Sequence, residues 1–111
     1  MNIQIFGKSK CFDTKKAQRY FKERRVKVQN IDLLKYGISK GELSSVLRSV
    51  KLEDLIDPKH PDAAMLAYLA LESQKLEHIL DDPSLLKTPI VRNGKQATVG
   101  YCPEVWKRWE S

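Results

Sequence analysis

The sequence predicts an α/β domain in which a β-α-β unit is followed by a helical stretch and then by a β-β-α unit. Three observations predict it. Residues 2–6, NIQIF, alternate about Ile3 and Ile5 and stop at Gly7, and residues 26–33 alternate about Val26, Val28 and Ile31. A period of two marks a strand. Between them Ala17, Tyr20 and Phe21 recur at the spacing of one helical face. Near the end, Asn93-Gly94 separates two short apolar segments, Thr88 to Val91 and Gln96 to Val99, and Pro103 opens a run carrying Val105, Trp106 and Trp109. Asn-Gly is a strong hairpin signal, and proline suits the first position of a helix.

Each element follows in order. The first helix is expected over Thr14 to Arg25, capped by Asp13 or Thr14. Strand, helix and strand in succession argue for a parallel pair. Ser39 with Glu42 three residues on is a capping box ahead of Leu43, Val46 and Leu47. A short helical turn is expected around Leu52 to Ile56, ended by Asp57-Pro58. Residues 61–81 read as two helices broken near Glu72-Ser73, with Ser73 as a cap, and Asp81-Asp82-Pro83 reads as a turn or helix start. A β-α-β unit followed by β-β-α is the arrangement of the thioredoxin fold. The chain, residues 1–111, is thus read as a single thioredoxin-like domain with a helical insertion at about residues 39–82.

Composition narrows the class. Of 111 residues, 41% are apolar and 31% charged, as in a soluble globular protein. No apolar run approaches the roughly 20 residues that span a bilayer, and MNIQIFGKSK lacks the apolar stretch of a secretory signal. The expected location is cytoplasmic, with no membrane partner. Cys11 and Cys102 lie far apart and read as free thiols. His60 and His78 are isolated in sequence, so no metal site is expected. The net charge of +6 is concentrated in residues 8–27, which carry nine Lys or Arg against Asp13 and Glu23. Such a patch attracts anions, whether oxyanions, glutathione, an acidic protein or nucleic acid, or it is a solvated helix face. Nucleic acid is disfavoured, because Tyr20 and Phe21 sit at core spacing rather than as a stacking platform.

Cys11 carries the candidate chemistry. It falls in the loop between the first strand and the first helix, where unpaired N–H groups and the helix dipole favour a thiolate. Lys8, Lys10, Lys15 and Lys16 add charge of the same sign, and the N–H groups can hold an anion beside the sulfur. The alternative is a small buried hydrophobe. The motif is Cys11-Phe12-Asp13-Thr14, without the second thiol of a CxxC pair. A redox cycle would use glutathione, a partner protein or Cys102 as the resolving thiol.

The start, IFGKSKCFDTKKAQRYF, and the tail, LLKTPIVRNGKQATVGYCPEVW, resemble the two end signatures of the arsenate reductase-like family, the glutaredoxin-coupled type, which includes the Spx regulators and small relatives. A strand ending in Asp32, a helix carrying GEL and a helical insert before the PIV strand fit as well. The resemblance implies a thioredoxin-like fold, Pro89 as a cis-proline facing the cysteine loop, and Cys11 as the catalytic cysteine. Where true arsenate reductases keep arginines, this chain has Thr88 before the proline, Cys102 after the last strand, and Asp57 near Lys59 before the insert. A lysine is a point charge and does not replace bidentate guanidinium contacts.

The resemblance implies a monothiol oxidoreductase. In it the Cys11 thiolate attacks an oxyanion or an oxidised thiol, and glutathione or glutaredoxin serves as reductant. Lys8, Lys10, Thr14, Lys15, Thr88, Pro89 and Arg92 are the residues expected to bind substrate, and Cys102 is the candidate resolving thiol. No bound cofactor is expected; glutathione is a co-substrate. The other expectation is a regulator or adaptor on the Spx plan that binds RNA polymerase without a CxxC switch.

Overall fold

A computed structural model describes residues 1–110. Four strands form one sheet in the order β2-β1-β3-β4. β1 (Ile3–Gly7) pairs in parallel with β2 (Val28–Asp32), Ile3 opposite Val28 and Phe6 opposite Ile31. β3 (Ile90–Asn93) runs antiparallel to β1, with Ile5 opposite Val91. β4 (Gln96–Val99) runs antiparallel to β3, with Val91 opposite Thr98. Thr88 is unpaired, so β3 begins two residues later than the apolar run suggested. The hairpin loop is Gly94-Lys95, one residue beyond Asn93-Gly94; Gly94 stands at φ 59°, a conformation that glycine adopts without a Cβ clash.

Alternation along the strands sends side chains to two cores. Ile3, Ile5 and Val91 face α1 (Phe12–Glu23) and α7 (Pro103–Glu110), meeting Ala17, Tyr20, Phe21 and Trp106. Trp106 is fully buried and donates its indole N–H to Thr98 Oγ1 at 2.9 Å, so the one polar atom of the ring is satisfied. Phe6, Ile90 and Ala97 face the other way, against the helices between the two halves. These are α2 (Leu33–Tyr36), α3 (Lys40–Val46), α4 (Leu52–Leu55), α5 (Ala63–Ala67) and α6 (Glu72–Asp81). They bury Leu33, Leu43, Val46, Leu55, Leu66 and Ile79. Among the described residues no helix is long and apolar enough to cross a membrane.

Several boundaries differ from expectation for local reasons. Helix α1 starts at Phe12, and its N-cap is Cys11 rather than Asp13 or Thr14. Thr14 turns inward instead: it is 3% exposed and accepts a bond from the Lys8 N–H. Leu33 leaves β2 because the Asp32 carboxylate accepts from the Leu34 N–H and starts α2. The Ser39–Glu42 capping box forms in both directions, at 3.1 and 2.9 Å. The break in the long helical stretch falls before Glu72, and Ser73 lies inside α6 instead of capping it. A 3₁₀ turn, Pro83–Leu85, is capped by Asp82, whose carboxylate accepts from the Ser84 N–H.

The segment before Pro89 is fastened to the helices between the halves. Asp57 N–H donates to the Leu85 carbonyl at 2.8 Å, and Lys87 N–H to the Leu55 carbonyl at 2.7 Å. The Thr88–Pro89 peptide bond is cis, as the resemblance implied.

Candidate functional site around Cys11

The loop from Gly7 to Cys11 is held in place by its neighbours. Gly7 passes so close to Thr14 that a Cβ there would stand 2.3 Å from the threonine Cγ2. Only glycine permits that approach. The Lys8 ammonium crosses to the segment before Pro89 and donates to the Ser84 carbonyl at 3.0 Å and the Leu86 carbonyl at 2.7 Å. Cys11 N–H donates to the Lys8 carbonyl at 3.0 Å. One lysine thus joins the two segments that carry Cys11 and Thr88.

Cys11 is half-buried as the N-cap of α1, with extended backbone at φ −85° and ψ 119°. As a thiol it donates to the Thr88 carbonyl at 3.5 Å. Burial pushes its pKa up, but the polar groups that face the sulfur, the Thr88 side chain first and then the Thr14 hydroxyl and the N–H groups of Thr14 and Asp13, outweigh that and lower it below 9.0. Those two N–H groups act on the sulfur as oriented dipoles, since the thiol forms no close capping hydrogen bond. The Thr14 hydroxyl already accepts from the Lys8 N–H at 3.4 Å, which leaves its own hydrogen for the sulfur.

The helix-start contribution therefore agrees with expectation and the lysine contribution does not. Lys8 is tied to carbonyls, while Lys10 and Lys15 extend into solvent. The polar groups of Thr88, Thr14 and Asp13 favour the thiolate here, and the ammonium groups are not among the causes of the shift.

Cys11 opens onto a cleft of about 1040 Å³. Lys8, Lys10, Asp13 and Thr88 line it together with Cys11, and so do Asp54, Asp57, Lys59 and Lys87. Thr14 and Lys15 lie on a smaller adjoining cleft behind the loop, and Pro89 is buried at the start of the β3 segment. Arg92 is not brought to the site. It follows Ile90 on the face of the sheet that packs on the helices between the halves, with Nη1 4.0 Å from Glu42 Oε2. No arginine lines the cleft among the described residues.

Cys102 differs from Cys11. Its thiol donates to the Val99 carbonyl at 3.3 Å and packs against the α1–α7 core. Burial raises its pKa; the Thr98 hydroxyl opposes this, while the Glu104 and Asp13 carboxylates add to it. It does not line the Cys11 cleft.

His60 is not isolated in space. Its Nε2 lies 3.0 Å from Ser84 Oγ and 3.3 Å from Asp82 Oδ2, and its Nδ1 accepts from the Asp62 N–H at 3.0 Å. His60, Asp62 and Asp82 could converge on a cation. With Nδ1 accepting, however, the proton of the neutral ring sits on Nε2, so neither nitrogen has a lone pair to offer. The group works as a clasp. The Asp82 carboxyl is held below its usual range, mainly by the Ser84 hydroxyl, which donates to it.

Of the residues singled out in the sequence, the structure brings Lys8, Lys10, Cys11, Asp57, Lys59 and Thr88 onto one cleft and leaves Thr14, Lys15, Pro89, Arg92 and Cys102 off its lining; the Lys8 latch was not anticipated. Nothing in the pattern joined Lys8 to Ser84 and Leu86, which lie more than seventy positions away.

Comparison with known proteins gives the same assignment. The ArsC family model matches residues 6–109. The chain is 30% identical over 106 residues to the global transcriptional regulator Spx 2 of Oceanobacillus iheyensis, covering 91% of this chain and 78% of that protein. Its structure is similar to the arsenate reductase from Vibrio cholerae, with a TM-score of 0.82 at 22% identity over 97% of each chain. It is also similar to an arsenate reductase (ArsC) related protein from Brucella melitensis, with a TM-score of 0.65 at 21% identity over 100% of this chain and 96% of that one. The chain belongs to the ArsC family and has its thioredoxin-like fold.

Proposed function

We propose that the protein is a monothiol oxidoreductase whose Cys11 thiolate exchanges with an oxidised thiol and is regenerated by glutathione or glutaredoxin. One observation carries the reading: Cys11 lines a large cleft at the start of α1, among polar groups that hold its pKa below the ordinary thiol value. In the first step the Cys11 thiolate attacks one sulfur of a disulfide, forms a new S–S bond, and releases the other sulfur as a thiolate. For a glutathione mixed disulfide the adduct is Cys11–S–S–glutathione. A second glutathione thiolate, or that of glutaredoxin, then attacks the adduct, restoring Cys11 and leaving a disulfide.

An oxidised thiol suits the cleft better than a small oxyanion. No arginine lines the cleft among the described residues, Lys8 already has two carbonyl partners, and Asp13, Asp54 and Asp57 add carboxylates to the lining. The raised pKa of Cys102 argues for an external thiol as the resolving group.

Mass spectrometry after treatment with glutathione disulfide tests this reading. The expected product is one glutathione on Cys11, removed by excess reduced glutathione, with Cys102 unmodified. A protein that takes up no glutathione at Cys11 would sink it.

The similarity to Spx 2 favours a second reading, a regulator that binds RNA polymerase. Retention of polymerase on the immobilised protein under reducing conditions, equal for wild type and Cys11→Ser, would support it. No retention would exclude it.

A further inference from the structure

Large apolar side chains left in water collect beside Cys11. Phe12, the next residue, is 78% exposed, and Tyr101, just past β4, is 43% exposed. Each is paired with a lysine of α1: Lys15 Nζ lies 5.9 Å from the centre of the Phe12 ring, and Lys16 Nζ lies 5.6 Å from that of Tyr101. Two aromatic–lysine pairs therefore stand at the end of α1 that carries the thiol. Exposed aromatic surface ringed by charge marks a contact site for another macromolecule.

The charge of this surface is predominantly positive, with Asp13 and Glu104 as the carboxylates near Cys102. Every Lys and Arg from Lys10 to Lys27 is exposed, and only Asp13 and Glu23 oppose them in that stretch. Elsewhere on the cleft Asp54 and Asp57 offset Lys59 and Lys87, so the excess lies on α1 and the segments that flank it. A small disulfide such as that of glutathione would reach the thiol through the cleft without touching Phe12 or the outer face of α1. The aromatic pairs and the positive helix face match something larger.

We infer that the surface formed by Phe12, Lys15 and Lys16 of α1 with Tyr101 docks a protein segment in which a disulfide-bonded cysteine is flanked by Asp and Glu, and presents that disulfide to Cys11. The inference rests on the reading of Cys11 as a thiolate nucleophile. It adds the class of partner: an acidic polypeptide. Exchange is the same reaction as above: the partner's S–S bond breaks, a new one forms between its cysteine and Cys11, and the displaced sulfur leaves as a thiolate.

Three mixed disulfides with thionitrobenzoate test it, on glutathione and on two short peptides of equal length, one flanking its cysteine with Asp and Glu and the other with Lys. Release of the coloured thionitrobenzoate anion gives the rate, and mass mapping confirms that the peptide is on Cys11. At low salt the acidic peptide should react about tenfold faster than the basic one, in the range of electrostatic steering. High salt should shrink that ratio. The Lys15→Glu/Lys16→Glu double variant, altered only at exposed positions, should bring the ratio to one or reverse it. Phe12→Ser should slow the acidic peptide more than it slows glutathione. Equal rates for the two peptides, with glutathione still exchanging at Cys11, would overturn the inference and leave the nucleophile standing. Failure of all three to react at neutral pH would overturn both.

Discussion

The Lys8 ammonium lies 2.7 Å from the Leu86 carbonyl oxygen, a bond across 78 positions of sequence that ties the Cys11 loop to the segment leading into Thr88. With the Ser84 carbonyl at 3.0 Å it gives Lys8 a positioning role in the cleft that it lines. Lys8→Met leaves two carbonyls without their cationic donor. The expected loss is about 1–3 kcal/mol of stability. The apparent pKa of Cys11 should also rise, because Thr88 is no longer held against the sulfur. Lys8→Arg should recover part of both. Denaturant unfolding and the pH profile of alkylation read the two effects separately.

Thr88→Val and Thr14→Val each remove a hydroxyl that favours the Cys11 thiolate. Each should shift the pH profile of Cys11 alkylation upward, and the double variant should shift it further. Activity at neutral pH should fall with the thiolate fraction. A profile that does not move in either variant would mean that these hydroxyls do not act on the sulfur.

Gly7→Ala should destabilise the protein by about 1–3 kcal/mol, the usual cost of overpacking, since its Cβ would meet Thr14 Cγ2 at 2.3 Å. Thr14→Ser removes that methyl group. The double variant Gly7→Ala/Thr14→Ser should therefore lose less stability than the sum of the two single changes. Simple additivity in thermal unfolding would contradict the close approach.

The pKa shifts also give a pH dependence of stability. The folded Cys11 pKa is lowered, so ionisation of this thiol favours the folded state. That contribution is full above the ordinary thiol value of 9.0 and is lost as pH falls through the lowered value. Cys102 is raised, so its contribution is full below 9.0 and is lost as pH rises through the raised value. Wild type should thus gain stability over Cys11→Ser as pH rises toward 9.0, measured by unfolding at several pH values.

Much of the fold was legible because strands and amphipathic helices write their period into the residues. Ile3 and Ile5, the face of Ala17, Tyr20 and Phe21, and the Ser39–Glu42 box all stand where that period put them. Boundaries were less legible where a side chain had a tertiary partner. Thr14 looks like a cap, but it is drawn inward by Gly7 and Lys8. Arg92 looked near the site because it follows Pro89, yet alternation along β3 carries it toward Glu42. The nucleophile could be found from its place between β1 and α1. The groups that tune it could not be assigned from local pattern, because Thr88 reaches Cys11 only through the pairing of β1 with β3 and the Lys8 latch.

The most direct test is the pH dependence of alkylation of each thiol in the intact protein, with the two cysteines resolved by peptide mass mapping. Cys11 should titrate below 9.0 and react faster than Cys102 at neutral pH, while Cys102 should titrate above 9.0. A Cys11 that titrates at or above 9.0 and reacts no faster than Cys102 would contradict the account.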